Sequence, residues 1–314
     1  MLTSYSLRGG LPVCIPQAEG GSDSCPEWIN LENPSPEECA AVSERYGIPL
    51  EHLQAALDYN ERPRVEHDGT RLLIVARAPV QNDHSRRVPF STCPVAVILT
   101  PTLVLTVCLN EGLVAGLLCR KIRGTGERLG VRLALTLLLR VSTTFIEHLR
   151  LMDERVEQIE QALQQSMQNR ELIRMLHIEK SLIYFLTALK GNHSVMEKIA
   201  ASPYLAASAE ERDLLDDVII ENKQATDMAE IFSQIMGSLS DAFGAIVSNN
   251  LNKVMKVLTG LTIIFMIPSI IGALYGMNVP LPWQDYPYAF AALCGLSVGL
   301  SFAGYWILKK MDWI

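Results

Sequence analysis

Two stretches near the C-terminal end limit what this chain can be. From Val254 to Tyr275 the only charged side chain is Lys256, and from Tyr288 to Leu308 there is none. Each stretch is 21 or 22 residues long, and at 1.5 Å per residue a helix of that length covers the roughly 30 Å hydrocarbon core of a bilayer. A pair of buried core helices is the competing explanation, but core helices seldom run so far without a charge. The sequence therefore predicts two transmembrane helices, over residues 254–275 and 288–308.

The flanks orient them. Lys253 and Lys256 lie at the start of the first span, Lys309 and Lys310 follow the second, and Gly276–Pro287 between them holds no Lys or Arg. Because Lys and Arg concentrate on the cytosolic side, both termini are expected in the cytosol, in a protein that crosses the cytoplasmic membrane twice. Trp283, Tyr286 and Tyr288 on the outer side, with Trp306 and Trp313 on the inner, suit the aromatic belts of the two interfaces. The opening residues, MLTSYSLRGGLPVCIPQ, lack the apolar core of a secretory signal.

Over the 314 residues, 49% are hydrophobic, 19% are charged and the formal net charge is −7. That composition excludes disorder. It also argues against a nucleic-acid partner, whose phosphates need a surplus of Lys and Arg, and favours a ligand of positive charge. The seven cysteines are odd in number and include no CxxC pair, so they read as reduced thiols rather than a disulfide framework or a zinc knuckle.

Upstream of the spans the pattern divides in two. In Trp28–Ile48 a short strand pattern leads to Ser35, Pro36 and Glu38, the signature of a capping box at a helix start. A second start follows at Pro49, and then come strand-like runs at Arg71–Pro79, Cys93–Leu99 and Leu103–Leu109. The charged NERPRVEHDG stretch between reads as a solvated connection. Residues 1–128 are thus expected to form an α/β domain. From Leu129 the periodicity becomes helical, with long helices over Arg132–Gln168 and Glu171–Ala200 and a break at Ser202–Pro203. No proline interrupts Ala207 to Pro268, so one helix can run from a cytosolic stalk, residues 129–250, into the transmembrane domain, residues 251–314.

Enzyme motifs are scarce, and no catalytic residue is expected. GTGERLG at Gly124–Gly130 lacks the GK[ST] of a phosphate loop, and none of the six histidines has HExxH spacing. Residues 210–230 carry eight acids, Asp217 among them, against Arg212 and Lys223; this is either an ordinary solvated helix face or a cation-attracting surface. In the first span, Asn252, Met255, Thr259, Thr262, Met266, Ser269 and Ala273 recur at intervals of three and four and share one helix face. Such a stripe packs against another helix or lines a wet path. Two helices cannot enclose a pore, so a conduit requires several copies of the chain.

Tyr275-Gly276-Met277-Asn278 follows the first span directly, and the chain closes in Lys309-Lys310-Met311-Asp312-Trp313-Ile314. Together with SNNLNKVMKVLT at Ser248–Thr259, WINLENPSPEE at Trp28–Glu38 and ERPRVE at Glu61–Glu66, these segments resemble the CorA family of divalent-cation channels over nearly the whole chain. The resemblance implies a funnel-shaped homopentamer. Its parts are an α/β/α cytosolic domain, a long stalk helix that continues as the pore-lining span, and an outer ring of second spans. It makes Gly276, Met277 and Asn278 the selectivity filter. Mg²⁺ holds its water tightly, so a ring of Asn278 carbonyl oxygens can bind the hydrated ion through that water, with Gly276 letting the backbone turn at the helix end.

By the same resemblance Asn252, Met255, Leu258 and Met266 line the narrow pore, Thr262 and Ser269 continue its polar stripe, and Met255 and Leu258 form an apolar constriction that gates by excluding water. Asp241 matches a carboxylate ring at the cytosolic neck, and Asp217 one half of an inter-subunit site that senses cytosolic Mg²⁺. The acidic partner in that site falls on Ala55, with Asp58 one turn along. The loop after the filter carries Asp285 where the family usually has a glutamate near the start, and Lys253 replaces a common glutamate. The expected function is passive Mg²⁺ uptake, with Mg²⁺ as cargo and regulator and no organic cofactor. The alternatives are a zinc, cobalt or nickel carrier of the related ZntB-like branch, which Met277 disfavours, and a membrane-anchored scaffold.

Overall fold

Strands β6 (Phe90–Leu99) and β7 (Leu103–Cys108) are buried along their whole length, the pattern expected when both faces of a sheet are covered. They sit inside a seven-stranded sheet of order β2-β1-β3-β7-β6-β5-β4. Its other members are β1 (Leu2–Ser6), β2 (Val13–Ile15), β3 (Glu27–Glu32), β4 (Arg64–Asp68) and β5 (Arg71–Gln81). β3 and β7 pair in parallel and every other neighbouring pair is antiparallel. The computed structural model describes residues 2–6, 13–15, 27–69, 71–82, 87–118, 128–165, 169–202, 208–279, 281–282, 287–311 and 313. Gly124, Trp283, Asp285, Tyr286, Asp312 and Ile314, singled out above, lie outside the described residues.

One face of the sheet presents Ile29, Leu31, Leu73, Val75, Ala96, Ile98, Leu105 and Val107 to Cys39 and Val42 of α1 (Pro36–Tyr46) and Leu53 of α2 (Leu50–Gln54). Ser35 caps α1 as expected: its Oγ accepts from the Glu38 N–H at 3.2 Å, and Glu38 Oε2 accepts from the Ser35 N–H at 3.0 Å. The second helix is shorter than its sequence suggests. It passes at Ala55 into a single 3₁₀ turn, Ala55–Leu57.

The opposite face carries α4 (Leu129–Gln165) and α5 (Asn169–Ala200). Gly130 admits α4 to the sheet, since a Cβ there would lie 2.7 Å from Val104 Cγ2. Asn192 fastens α5 to β5 by accepting from the Arg77 N–H and donating to the Arg77 carbonyl, both at 2.8 Å. Between these layers the Trp28 indole donates to Thr106 Oγ1 at 2.9 Å, and Thr106 donates onward to Asn30 at 2.8 Å, which satisfies three buried polar groups across the parallel pair. A short helix, α3 (Leu113–Leu117), precedes α4.

One expectation for this part needs correction, and one feature was not anticipated. NERPRVEHDG is not a loop: Arg64–Asp68 is an edge strand, half-exposed and paired with β5, and its charged side chains suit an edge that must not recruit further strands. The N-terminal strands β1 and β2 complete the other edge and left no alternating pattern to be read.

Helix α6 (Ala209–Tyr275) is a single element of 67 residues and runs through Pro268. Its start is fixed by a second capping box, Ser208 with Glu211. Helix α7 (Ala289–Lys310) ends the fold. The chain divides into two compact units, Met1–Met236 and Gly237–Ile314. In the first, α6 is held to α4 by the ion pair Glu210–Arg132 (2.5 Å), to Arg128 just before α4 by Glu211 (3.1 Å), and to α5 by Lys190–Glu230 (2.7 Å).

Among the described residues three helical segments are long and apolar enough to cross a membrane by length and composition: Leu129–Ala162, Ala209–Tyr275 and Ala289–Lys310. In the first, 61% of the most apolar stretch is buried within the protein, against 6% in each of the others.

Candidate functional site

Within the second unit, α6 has two faces of opposite character. Gly260 is buried, and Val257, Ile264, Ile267, Ile271 and Tyr275 are half-buried. Facing them, α7 offers small residues: Ser301 reaches the Ile264 carbonyl, and a Cβ on Gly304 would lie 3.4 Å from Ile267 Cδ1. Small side chains are what let two membrane helices approach closely.

On the far side of α6, at roughly 100° per residue, lie Asn252, Met255, Thr259, Thr262, Met266, Ser269 and Ala273. All are exposed. The same alternation of four and three extends upstream through Ser248, Ala245 and Asp241 to Ser238, again exposed at every position. Asp241 thus joins the stripe as its only charged member. Leu258, 57% exposed, borders the row beside Met255 at 54%.

The row's chemistry is consistent along its length. The Thr262 hydroxyl donates to the Leu258 carbonyl at 2.8 Å and the Ser269 hydroxyl to the Phe265 carbonyl at 2.9 Å. Each spends its proton on its own helix and keeps oxygen lone pairs for anything outside it. Such hydroxyls accept hydrogen bonds from water and offer oxygen to cations.

At the helix end the Gly276 N–H donates to the Gly272 carbonyl at 2.9 Å and the Met277 N–H to Leu274 at 3.4 Å, tightening the last turn. Tyr275 Oη donates to the Pro282 carbonyl at 3.4 Å and draws the following segment back over the terminus. Met277 and Asn278 are exposed. Gly276 does not act as a left-handed cap: the described glycines of positive φ are Gly47, Gly69 and Gly112.

Of the eight acids in 210–230, four are engaged within the chain: Glu210, Glu211 and Glu230 in the ion pairs given above, and Glu221 with the Thr143 hydroxyl at 3.5 Å. Asp213, Asp216, Asp217 and Asp227 stand exposed. Ala55 is buried; Asp58 is exposed and accepts from the Asn60 N–H at 2.9 Å. No hydrogen bond or ion pair joins Asp58 to Asp217 within one chain. Among the described residues no group of three or more His, Cys, Asp or Glu side chains could hold a metal ion.

An α/β/α unit followed by long apolar helices that their own chain leaves mostly uncovered, one of them polar along a single face, has the make-up of an integral membrane protein. The CorA-like Mg²⁺ transporter family profile matches residues 25–310, and the chain belongs to that family. It is 26% identical over 293 residues to the cobalt/magnesium transport protein CorA of Methanocaldococcus jannaschii, covering 91% of each chain. To the protein of the same name from Thermotoga maritima it is 25% identical over 301 residues, 93% of this chain and 84% of that one. The complete structure of the CorA magnesium transporter from M. jannaschii shares the fold with a TM-score of 0.82 at 23% identity, over 100% of this chain and 99% of that one.

Proposed function

We propose that the chain conducts Mg²⁺ into the cytosol through a homopentameric pore in the cytoplasmic membrane, lined by α6 and closed at its outer end by a Gly276-Met277-Asn278 filter. The observation that carries this is the exposed row from Ser238 to Ala273. Asn, Thr and Ser facing hydrocarbon would be poorly solvated, and α7 already occupies the other face, so further copies of α6 must cover the row. Around a common axis it becomes the wall of a conduit.

In that conduit Asn278 carboxamides contact the waters of a hydrated ion, Asp241 concentrates cations at the cytosolic neck, and Asn252, Thr262, Met266 and Ser269 line the path. Met255 and Leu258 close it by dewetting. The inside-negative potential supplies about 2.3 kcal/mol per charge per 100 mV, enough to drive uptake without a coupled reaction. The two spans are α6 and α7, with both termini cytosolic, a reading supported by the burial of most of the apolar stretch of Leu129–Ala162 within the protein. Asp217, helped by Asp58, forms the cytosolic Mg²⁺ sensor, weakened because Ala55 offers no ligand.

Uptake of Mg²⁺, Co²⁺, Ni²⁺ and Zn²⁺ into liposomes, compared with and without a pH gradient, tests the reading. Mg²⁺ entry independent of the gradient, abolished by Asn278→Ala in an intact oligomer, is the expected result. Proton-dependent Zn²⁺ entry moves the chain to the zinc-carrying branch, and an assembled oligomer that passes no cation makes it a scaffold.

A further inference from the structure

Pro268 lies inside α6. Without an N–H it cannot donate to the carbonyl four residues earlier, that of Ile264. In hydrocarbon no water takes the donor's place, and membrane helices containing proline survive where a neighbouring side chain does so. Ser301 of α7 is that neighbour: its hydroxyl donates to the Ile264 carbonyl across the helix pair at 3.4 Å. The contrast with nearby hydroxyls is direct, since Thr262, Ser269 and Ser297 donate to carbonyls of their own helices. Gly304, one turn further along α7, comes close to Ile267 and brings the two backbones near enough for the reach.

The position matters because Pro268 divides the exposed row. Asn252 through Met266 precede it; Ser269, Ala273 and the Gly276–Asn278 corner follow. A bend at the proline re-aims the second group against the first.

We propose that Ser301 is a positioning residue for conduction: its hydroxyl replaces the N–H that Pro268 lacks and sets the direction of the filter-bearing end of α6. At 3.4 Å the bond is long for a hydroxyl donor, so a few tenths of an ångström between the helices make or break it. Movement of α7 is thereby transmitted to the filter. This role rests on the reading of α6 as the conducting helix.

The test pairs Ser301→Ala with Pro268→Ala, which restores the missing N–H. In reconstituted full-length protein, Ser301→Ala lowers Mg²⁺ uptake by about threefold to tenfold, the range that interhelical hydrogen bonds in membranes support, while Ser301→Thr keeps the wild-type rate. In the Pro268→Ala background Ser301→Ala then has no further effect. An equal loss in both backgrounds means that Ser301 only fills space, and overturns the proposal. An infrared label, ¹³C=¹⁸O at the Ile264 carbonyl, reads the bond without reference to transport: its band rises in frequency on Ser301→Ala and is unmoved by that change beside Pro268→Ala. A band unmoved in the single variant overturns the proposal whatever the protein carries. A wild-type protein that carries no cation, with the band still responding, overturns the transport reading and the positioning role but leaves the bond standing.

Discussion

The most apolar stretches of helices α4 and α7 match in mean hydropathy, yet most of the one is buried while nearly all of the other lies bare. In α4, Leu133, Leu137, Val141, Phe145, Leu149 and Met152 are covered by the sheet and by α5. In α7, Phe290, Val298, Phe302 and Trp306 are more than 60% exposed. What separates a core helix from a membrane helix here is the presence of a covering layer. The row on α6 adds a third case, a face that is bare and polar, which suits neither hydrocarbon nor a dry core.

Substitutions can break that comparison at each of the three surfaces. The largest effect belongs to α4: Phe145 is fully buried, with its ring edge-on to Phe185 at 4.9 Å, and Phe145→Ala should cost about 3–5 kcal/mol, read as an earlier denaturant midpoint by circular dichroism. A charge on α7 should leave that midpoint alone and act on insertion. Phe302→Lys, at 69% exposure, should oppose membrane integration by roughly 2.5–3.5 kcal/mol, seen as a smaller membrane fraction; unchanged integration would mean that α7 does not face lipid.

On the third surface Leu258→Asn should wet the constriction and raise resting Mg²⁺ current by about tenfold, equivalent to ~1.4 kcal/mol of barrier, with little loss of fold stability because Leu258 is 57% exposed in its own chain. Lost oligomers with no gained current would place the gate elsewhere.

The smallest effect concerns His148. Burial, with the positive charge of Arg155 second, lowers its pKa from the ordinary 6.5 to about 4, between the rings of Phe90 and Phe185. The folded state therefore holds the neutral imidazole, and the unfolded chain binds the proton more readily. Its contribution is complete above pH 6.5 and is lost as the pH falls towards 4. His148→Phe should flatten that part of the stability profile, measured as melting temperature against pH relative to the wild-type protein.

Much of this was legible in the residues. The two long apolar C-terminal helices, the α1 capping box, the presence of α4 and α5 and the stripe on α6 all follow from local periodicity or spacing, which the chain states directly. Features that depend on a partner were not. The charged Arg64–Asp68 becomes a strand because β5 lies beside it, and β1 and β2 are too short to carry a pattern of their own. The apolarity of α4 could be separated from that of a span only by the sheet that covers it. Ser301 drew no notice because its importance lies in a carbonyl on another helix, left without a donor by a proline 33 residues away. Gly276 was expected to turn the helix end as a C-terminal glycine commonly does, and its φ is not positive.

Chain order adds a consequence to the covering of α4. All seven strands precede it in sequence, and both membrane helices follow. As the chain leaves the ribosome the sheet is complete before the apolar face of α4 emerges, and N-terminal parts fold first during synthesis. The surface that most resembles a membrane span thus meets its own platform before it can be claimed by the insertion machinery, and the helices meant for that machinery come last.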